Sequence, residues 1–321
     1  MALRERQQPP ADEPVAGPGV RRLVVVPDFF AEAVAMRQTF DERFGRVRSR
    51  GEESFVWDYW HVPDQYTYFR TFGDRYFPEE LTQAFLKRLR EWGRDVLGCP
   101  SVTPPWLSYY LDGCVQELHA DVPHGPWAYV FSITRWDERG FTGGETELMQ
   151  PRTLEFWPGF DPSEELEAHQ LMERVPASFN QLTVFDARIP HAVRAVRGTR
   201  DPMDSRVVLH GWFEYPDLTL SDDLRDEKTQ ISLRLATRYL ARRLAPFAGV
   251  TGLLTVRVEF AADGAVRATR VLSNTLVSRD AQPTLPAEIV RSVHDSLREL
   301  SVPGASEGSW AIVPVRMPSH A

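Results

Sequence analysis

Hydrophobic and polar positions recur with different periods along the chain, and each change of period marks a new segment. Residues 1–20 mix Pro, Gly, Gln and charge without a period, the composition of a disordered leader with too little apolar surface to fold. Arg21–Pro27, with Leu23-Val24-Val25-Val26, reads as a short strand, and Phe29–Phe44 has the apolar spacing of a helix. The aromatic run Phe55-Val56-Trp57-Asp58-Tyr59-Trp60 suits a strand or a lip facing a substrate, and Tyr59–Phe77 reads as a long loop. Glu79–Leu97 carries Leu81, Phe85, Leu86, Leu89 and Trp92 at helical spacing.

From Trp106 the pattern shortens to β-type runs split by turn residues: Trp106–Leu111, Val115–His119, Ala128–Thr134, Glu145–Met149, Thr153–Trp157, Gln181–Phe185, His191–Val196 and Arg206–Glu214. Short strands at such regular spacing imply two facing sheets in a sandwich or barrel. Ser163–Arg174 is an acidic interruption, read as a loop with a helical turn placed as a lid over one mouth. After Pro216, Ser221 is the expected N-cap, with Asp222 and Asp223 in the first turn, of a helix running to Leu244. Leu233, Leu235, Tyr239, Leu240 and Leu244 form its apolar side, as expected of a packing helix between two domains. Gly252–Phe260, a turn at Ala262-Asp263-Gly264, Val266–Leu272, a helix Pro286–Leu300 and Trp310–Arg316 then give β-β-α-β.

The expected fold is therefore mainly β with α. It is a sandwich or barrel of two facing sheets with N-terminal helices, plus a small C-terminal α+β domain. The expected divisions are a leader 1–20, a β-rich domain 21–216, a linking helix 217–248 and the small domain 249–321. A chain of 321 residues has room for both. Its net charge of -8 argues against nucleic acid as a partner. No run approaches the roughly 20 apolar residues of a membrane span, so no membrane partner and a cytoplasmic location are expected. Cys99 and Cys114, the only cysteines, are too few for a disulfide framework and are expected as buried thiols.

The chemistry-bearing residues lie in the β-rich half. On a regular strand Glu117, His119 and Asp121 share one face. A mononuclear Fe(II) oxygenase needs two His and one carboxylate on one side of the metal, with the other positions open. His191, opening a β-type run after Asp186 and Pro190, supplies the second His. Arg206, at the head of Val207-Val208-Leu209-His210-Gly211-Trp212-Phe213, is a planar cation suited to gripping a carboxylate with two parallel hydrogen bonds. Arg194, Arg197 and Arg200 are its rivals, nearer the turn. His210 shares a strand face with Arg206 and lines the pocket or sits satisfied in the core, and His124 is a loop residue close to the metal ligands. Trp127, Tyr129, Trp136 and Phe156 are expected as core, and Glu117 as solvent-facing.

With these residues in place, Trp106–Tyr215 resembles the prolyl-4-hydroxylase-like branch of the Fe(II)/2-oxoglutarate oxygenases. The resemblance lies in a Tyr ahead of His119-Ala120-Asp121, the turn Gly143-Gly144-Glu145, the distal His191, and Arg206 leading into Gly211-Trp212-Phe213. It implies a double-stranded β-helix (jelly roll) for residues 21–216, in which His119, Asp121 and His191 bind Fe(II) and Arg206 binds 2-oxoglutarate, helped by Tyr109, with Tyr110 as the neighbour it is most easily confused with. It further implies O2 as co-substrate, ascorbate as an admissible auxiliary reductant, and hydroxylation of an unactivated C–H in an amino-acid, peptidyl or natural-product substrate. Related halogenases replace the carboxylate with a small residue, so Asp121 favours hydroxylation. One departure is that fifteen residues separate His191 from Arg206, where many members have about ten. Residues 250–316 resemble the C-terminal domain of TonB-type energy transducers through Leu254–Phe260, Asp263-Gly264, Val271-Leu272-Ser273 and Val313-Pro314-Val315, which implies docking or dimerisation. The rival reading is a catalytically degenerate jelly roll whose C-terminal module binds another protein.

Overall fold

A computed structural model describes residues 22–47, 57–150, 153, 161–163, 167–247, 249–279 and 284–317. The expected leader, Phe55-Val56, Phe156 and nearly all of the expected strand Thr153–Trp157 lie outside the described residues.

The first unit contains β1 (Leu23–Val26), β2 (Asp58–Val62), β3 (Tyr66–Phe72), β4 (Trp106–Tyr110), β5 (Val115–His119), β6 (Trp127–Ser132), β7 (Thr146–Met149), β8 (Met172–Val175), β9 (Gln181–Asp186), β10 (His191–Val193) and β11 (Arg206–Phe213). Eight of these form two antiparallel layers, β9-β6-β11-β4 and β5-β10-β7-β8. The chain passes from one layer to the other after β4, β5, β6, β8, β9 and β10, which is the winding of a double-stranded β-helix. β1 extends the first layer, pairing with β9, and β3 bridges the two layers by pairing with both β4 and β5.

Alternation along β11 shows how the barrel is filled. Val207, Leu209 and Phe213 face outward into a cluster with Met36 and Phe40 of the helix Ala33–Val47 and with Phe85 and Leu89 of the helix Glu79–Trp92. The intervening Arg206, Val208 and His210 point into the barrel, so side chains two residues apart serve two different environments. The outer face is thus a conventional apolar core, and the inner face is free to be polar.

Three sequence expectations are corrected. Much of Tyr59–Phe77, read as a loop, forms the β2–β3 hairpin, because Tyr66-Thr67-Tyr68-Phe69-Arg70-Thr71-Phe72 offers a side chain to each face in turn. Within the acidic interruption 163–174 the helical turn is present at Ala168–Leu171, but Met172–Val175 is a strand paired with β7. Ser221 begins only a 3-10 turn, Asp222–Leu224. The long helix is Glu227–Leu244, with the Asp226 side chain accepting a hydrogen bond from the Thr229 amide. Leu235 and Tyr239 are exposed on it while Leu233, Leu240 and Leu244 are buried, since residues two apart lie about 200° apart around a helix.

The C-terminal unit comprises β12 (Thr219–Leu220), β13 (Val250–Phe260), β14 (Val266–Asn274), β15 (Val277–Ser278), the helix Leu285–Arg298 and β16 (Trp310–Met317), in sheet order β12-β16-β13-β14. The expected β-β-α-β succession is present. This sheet is bound to the jelly roll through polar contacts. Thr255 and Ser273 hydroxyls both donate to the Leu97 carbonyl, and Arg188, paired with Asp186 of β9, donates to the Thr251 and Thr275 carbonyls.

Gly98 closes the helical turn Gly93–Leu97 at φ +71°, and a Cβ there would lie 2.7 Å from the Thr255 Cβ. Gly113, at φ +87°, has nothing within 4 Å of such a Cβ. Gly113→Ala is therefore expected to lower unfolding free energy by about 1 kcal/mol from backbone strain alone. Gly98→Ala is expected to lower it by about 2–4 kcal/mol because the sheet must also shift. Urea unfolding of both variants checks this, and equal losses would contradict the tight junction.

Candidate metal centre

A register shift in the barrel sets the site. Between β5 and β10, His119 pairs with His191 but Val193 pairs with Gln116, so three steps on β5 span two on β10. Such a bulge breaks strict alternation and re-aims side chains. Gln116 reaches the Tyr110 hydroxyl across the interior, 2.7 Å away, while Glu117 and Leu118 are exposed. Glu117 therefore does not share a working face with His119 and Asp121 as regular alternation would have it. Its carbonyl has a different task, accepting from His119 Nδ1 at 2.7 Å.

His191 is fixed in the same way, with Nδ1 2.9 Å from the Ile189 carbonyl. A backbone carbonyl can only accept, so each Nδ1 carries the proton and each Nε2 presents a lone pair. Those two nitrogens face Asp121: His191 Nε2 is 3.4 Å from Oδ2, and His119 Nε2 is 3.8 Å from Oδ1. All three ligand atoms lie within 4.8 Å of one another. Asp121 sits just past the end of β5, its amide bonded to the Ala187 carbonyl and its Oδ2 accepting from Trp212 Nε1 at 3.0 Å. His124 stacks on the same indole at 4.2 Å.

Electrostatics support a donor set ready for a cation. Burial disfavours the Asp121 charge, but His191, His119 and Trp212 together hold the pKa below its ordinary value. Burial, and then the neighbouring His191, lower that of His119, so its neutral, ligating form is favoured. Two imidazole lone pairs and one carboxylate converging from two adjacent strands fit a divalent transition metal with its remaining positions open.

Arg206 lies deeper and is 1% exposed. Its guanidinium carbon is 4.6 Å from the Tyr110 ring centre, and Nη2 donates to the Thr146 hydroxyl at 3.2 Å. Nε and Nη1 are buried without a hydrogen-bond partner. Burial pushes its pKa down, and leaving donors of a buried cation unmatched costs about 1–3 kcal/mol each. Such donors suit an anion. Of the rivals, Arg194 pairs with Glu145 and Glu147 outside the barrel, and Arg197 and Arg200 are exposed.

Tyr109 and its neighbour Tyr110 lie on opposite faces of β4. Strand alternation turns Tyr109 outward, where its ring stacks on Phe69 at 4.8 Å, and turns Tyr110 inward onto Arg206. Strand alternation marks Trp212 and His210 as inward from Arg206, but Thr146 and Gln116 depend on cross-strand register that spacing does not reveal. Trp127, Tyr129 and Trp136 are buried, as are both cysteines. His210 Nε2 is 2.8 Å from the Ser108 hydroxyl inside the barrel.

No protein-family model and no curated protein matches the chain. Among solved structures it is similar to a prolyl-4-hydroxylase from Pseudomonas putida at 14% identity, covering 60% of this chain and 91% of that one, with a TM-score of 0.41. An oxidoreductase of the 2OG-Fe(II) oxygenase family from Burkholderia pseudomallei is similar at 17% identity, over 59% and 84%, with a TM-score of 0.38. A collagen prolyl hydroxylase from Paramecium Bursaria Chlorella virus-1, solved with 2OG, is similar at 12% identity, over 60% and 94%, with a TM-score of 0.37. Likenesses this distant assign neither reaction nor substrate to this chain.

Burial, Arg206, Asp121, Arg70 and His119 leave the His210 pKa at about 3, against an ordinary 6.5. Between those values the unfolded chain binds more protons than the folded one. Stability should therefore fall as pH drops from 6.5 toward 3, by up to about 1.4 kcal/mol per pH unit from this group. His119 and Asp121 contribute slopes of the same sign in any variant that retains them. His210→Gln should accordingly flatten, not abolish, the fall in urea midpoint between pH 6.5 and 4.5, and an unchanged slope would refute a neutral His210 in the folded barrel.

Proposed function

We propose that the chain is an Fe(II)/2-oxoglutarate-dependent dioxygenase that hydroxylates an unactivated C–H bond of a small-molecule or peptidyl substrate. The observation that carries this reading is the pairing, inside one barrel, of a two-imidazole, one-carboxylate donor set with a buried arginine whose Nε and Nη1 lack partners. On β7, Leu148 is paired with His191 and Thr146, which holds Arg206, lies two residues away. That step is about 7 Å, the scale of a five-carbon diacid reaching from metal to guanidinium. A monodentate metal ligand alone would not need the second cation.

In this reading His119 Nε2, His191 Nε2 and the Asp121 carboxylate hold the iron, and Arg206 holds the remote carboxylate of 2-oxoglutarate. Bound iron with 2-oxoglutarate and O2 supplies the oxidising power to break an unactivated C–H bond. The chain's own contribution is placement. Backbone carbonyls of Glu117 and Ile189 keep both imidazoles in one tautomer, and Trp212 keeps Asp121 from rotating. Tyr110 and Thr146 orient the Arg206 fork, and the apolar lining from Val208 and Leu148 limits water beside the reacting groups. The presence of Asp121 supports hydroxylation over halogenation, since its carboxylate occupies the position a halide would need. Degeneration to a binding scaffold would not require these donors or the two fixed tautomers to be retained.

Anaerobic addition of Fe(II) and 2-oxoglutarate should give a visible charge-transfer band that disappears in His119→Ala. Arg206→Ala should keep Fe(II) binding but raise the 2-oxoglutarate concentration needed for the band by roughly 100-fold or more, the effect of losing a paired charge. A wild-type protein with no band would contradict the proposal, and succinate release in a substrate screen measures the activity itself.

A further inference from the structure

Arg70 lies on the inward face of β3, in line with Tyr66 and Tyr68. The Tyr66 ring is 5.1 Å from the His119 ring, and Arg70 is four residues further along, about 13 Å of strand. On β4 its partner is Ser108, whose hydroxyl meets His210. Tyr68, its neighbour on that face, has its ring 6.4 Å from that of His210, so this cation shares the inward face that leads to the metal donors, on the side away from the outer apolar core.

The guanidinium is stacked on both faces. Its carbon is 3.7 Å from the Trp60 ring centre and 4.3 Å from that of Trp106. Stacking fills the two flat faces of a guanidinium and leaves its N–H edge for an acceptor. That edge is only partly filled: it bonds the Tyr68 hydroxyl, but Nε has no hydrogen-bond partner, and among the described residues Arg70 makes no ion pair. Asp58, opposite it on β2, is exposed. Trp60 is itself 38% exposed, so the stack stands at the mouth of the barrel, where an incoming molecule first meets it.

We propose that Arg70 anchors the substrate, and that the substrate class is a carboxylate borne on an apolar or aromatic body. The carboxylate is held at the Arg70 edge, and the body lies along Trp60, Trp106, Tyr68 and Tyr66 toward His119. This rests on the reading of His119, Asp121 and His191 as the iron site and Arg206 as the co-substrate anchor. The competing role for Arg70 is purely structural, fastening the β2–β3 hairpin to β4 through its two indoles.

The test uses the full chain loaded anaerobically with Fe(II) and 2-oxoglutarate, so that Arg206 is already occupied. Phenylacetate, 3-phenylpropanoate and 4-phenylbutanoate are titrated calorimetrically against their neutral amides. At least one acid should bind about tenfold or more tighter than its amide, as a charge-assisted hydrogen bond requires. Arg70→Met keeps the stem that packs between the indoles. It should bring acid and amide within about twofold of each other while the iron–2-oxoglutarate band stays unchanged. Arg70→Lys should recover part of the preference. The proposal is overturned if no acid binds, if acids and amides bind alike to the wild type, or if the preference survives in Arg70→Met. A lowered melting midpoint with the preference intact would assign Arg70 the structural role instead. An absent band in the wild type would sink the iron reading and take the substrate assignment with it, whatever the acids do.

Discussion

The bulge between β5 and β10 is the constraint on which the site depends. Without the extra residue, His119 would not lie opposite His191 while Gln116 reaches Tyr110 across the interior. A strand that kept strict alternation through Gln116 would send His119 to solvent. Within the bulged stretch the Glu117 carbonyl meets His119 Nδ1 and sets the His119 tautomer. One local irregularity thus fixes both the direction of the ligand and its protonation.

The barrel around this corner separates two kinds of packing that the same strands carry. Outward residues of β4, β6 and β11 close an apolar core under two helices, and that core stabilises the fold. Inward residues include Arg206, Ser108 and Tyr110, which are costly to bury, and the half-buried His210. Retaining an incompletely matched guanidinium at the bottom of the barrel makes physical sense if an anion completes it. The same logic, applied nearer the mouth, singles out Arg70. Two cations at different depths, Arg206 level with Tyr110 and Arg70 level with Ser108 on β4, would hold two anionic molecules apart.

Much of this was legible in the residues. His119, Asp121 and His191 could be found because their types and order are restrictive, and Arg206 could be separated from Arg194, Arg197 and Arg200 because it alone opens an apolar strand. Which of Tyr109 and Tyr110 faces inward was not legible, since adjacent strand residues face opposite sides and only the pairing with Arg206 shows it. β3 was hidden because its alternating aromatic and polar residues lack the apolar run that marks a core strand, although it joins the two layers. β8 was hidden by the acidic residues before it. In the linking helix, Leu235 and Tyr239 were placed by residue type on a face that the helix turns to solvent. Register, bulges and tertiary exposure are set by partner strands, and spacing within one segment does not report them.

The central claim is that His119 and His191, and no other histidines, share one metal with Asp121. Pulsed electron paramagnetic resonance of the protein loaded with one equivalent of Cu(II) counts the bound imidazoles directly. Two coupled imidazoles are expected in the wild type, one in His119→Ala or His191→Ala, and two in His124→Ala and His210→Gln. A wild-type spectrum with fewer than two, or a loss on removing His124 or His210, would contradict the site.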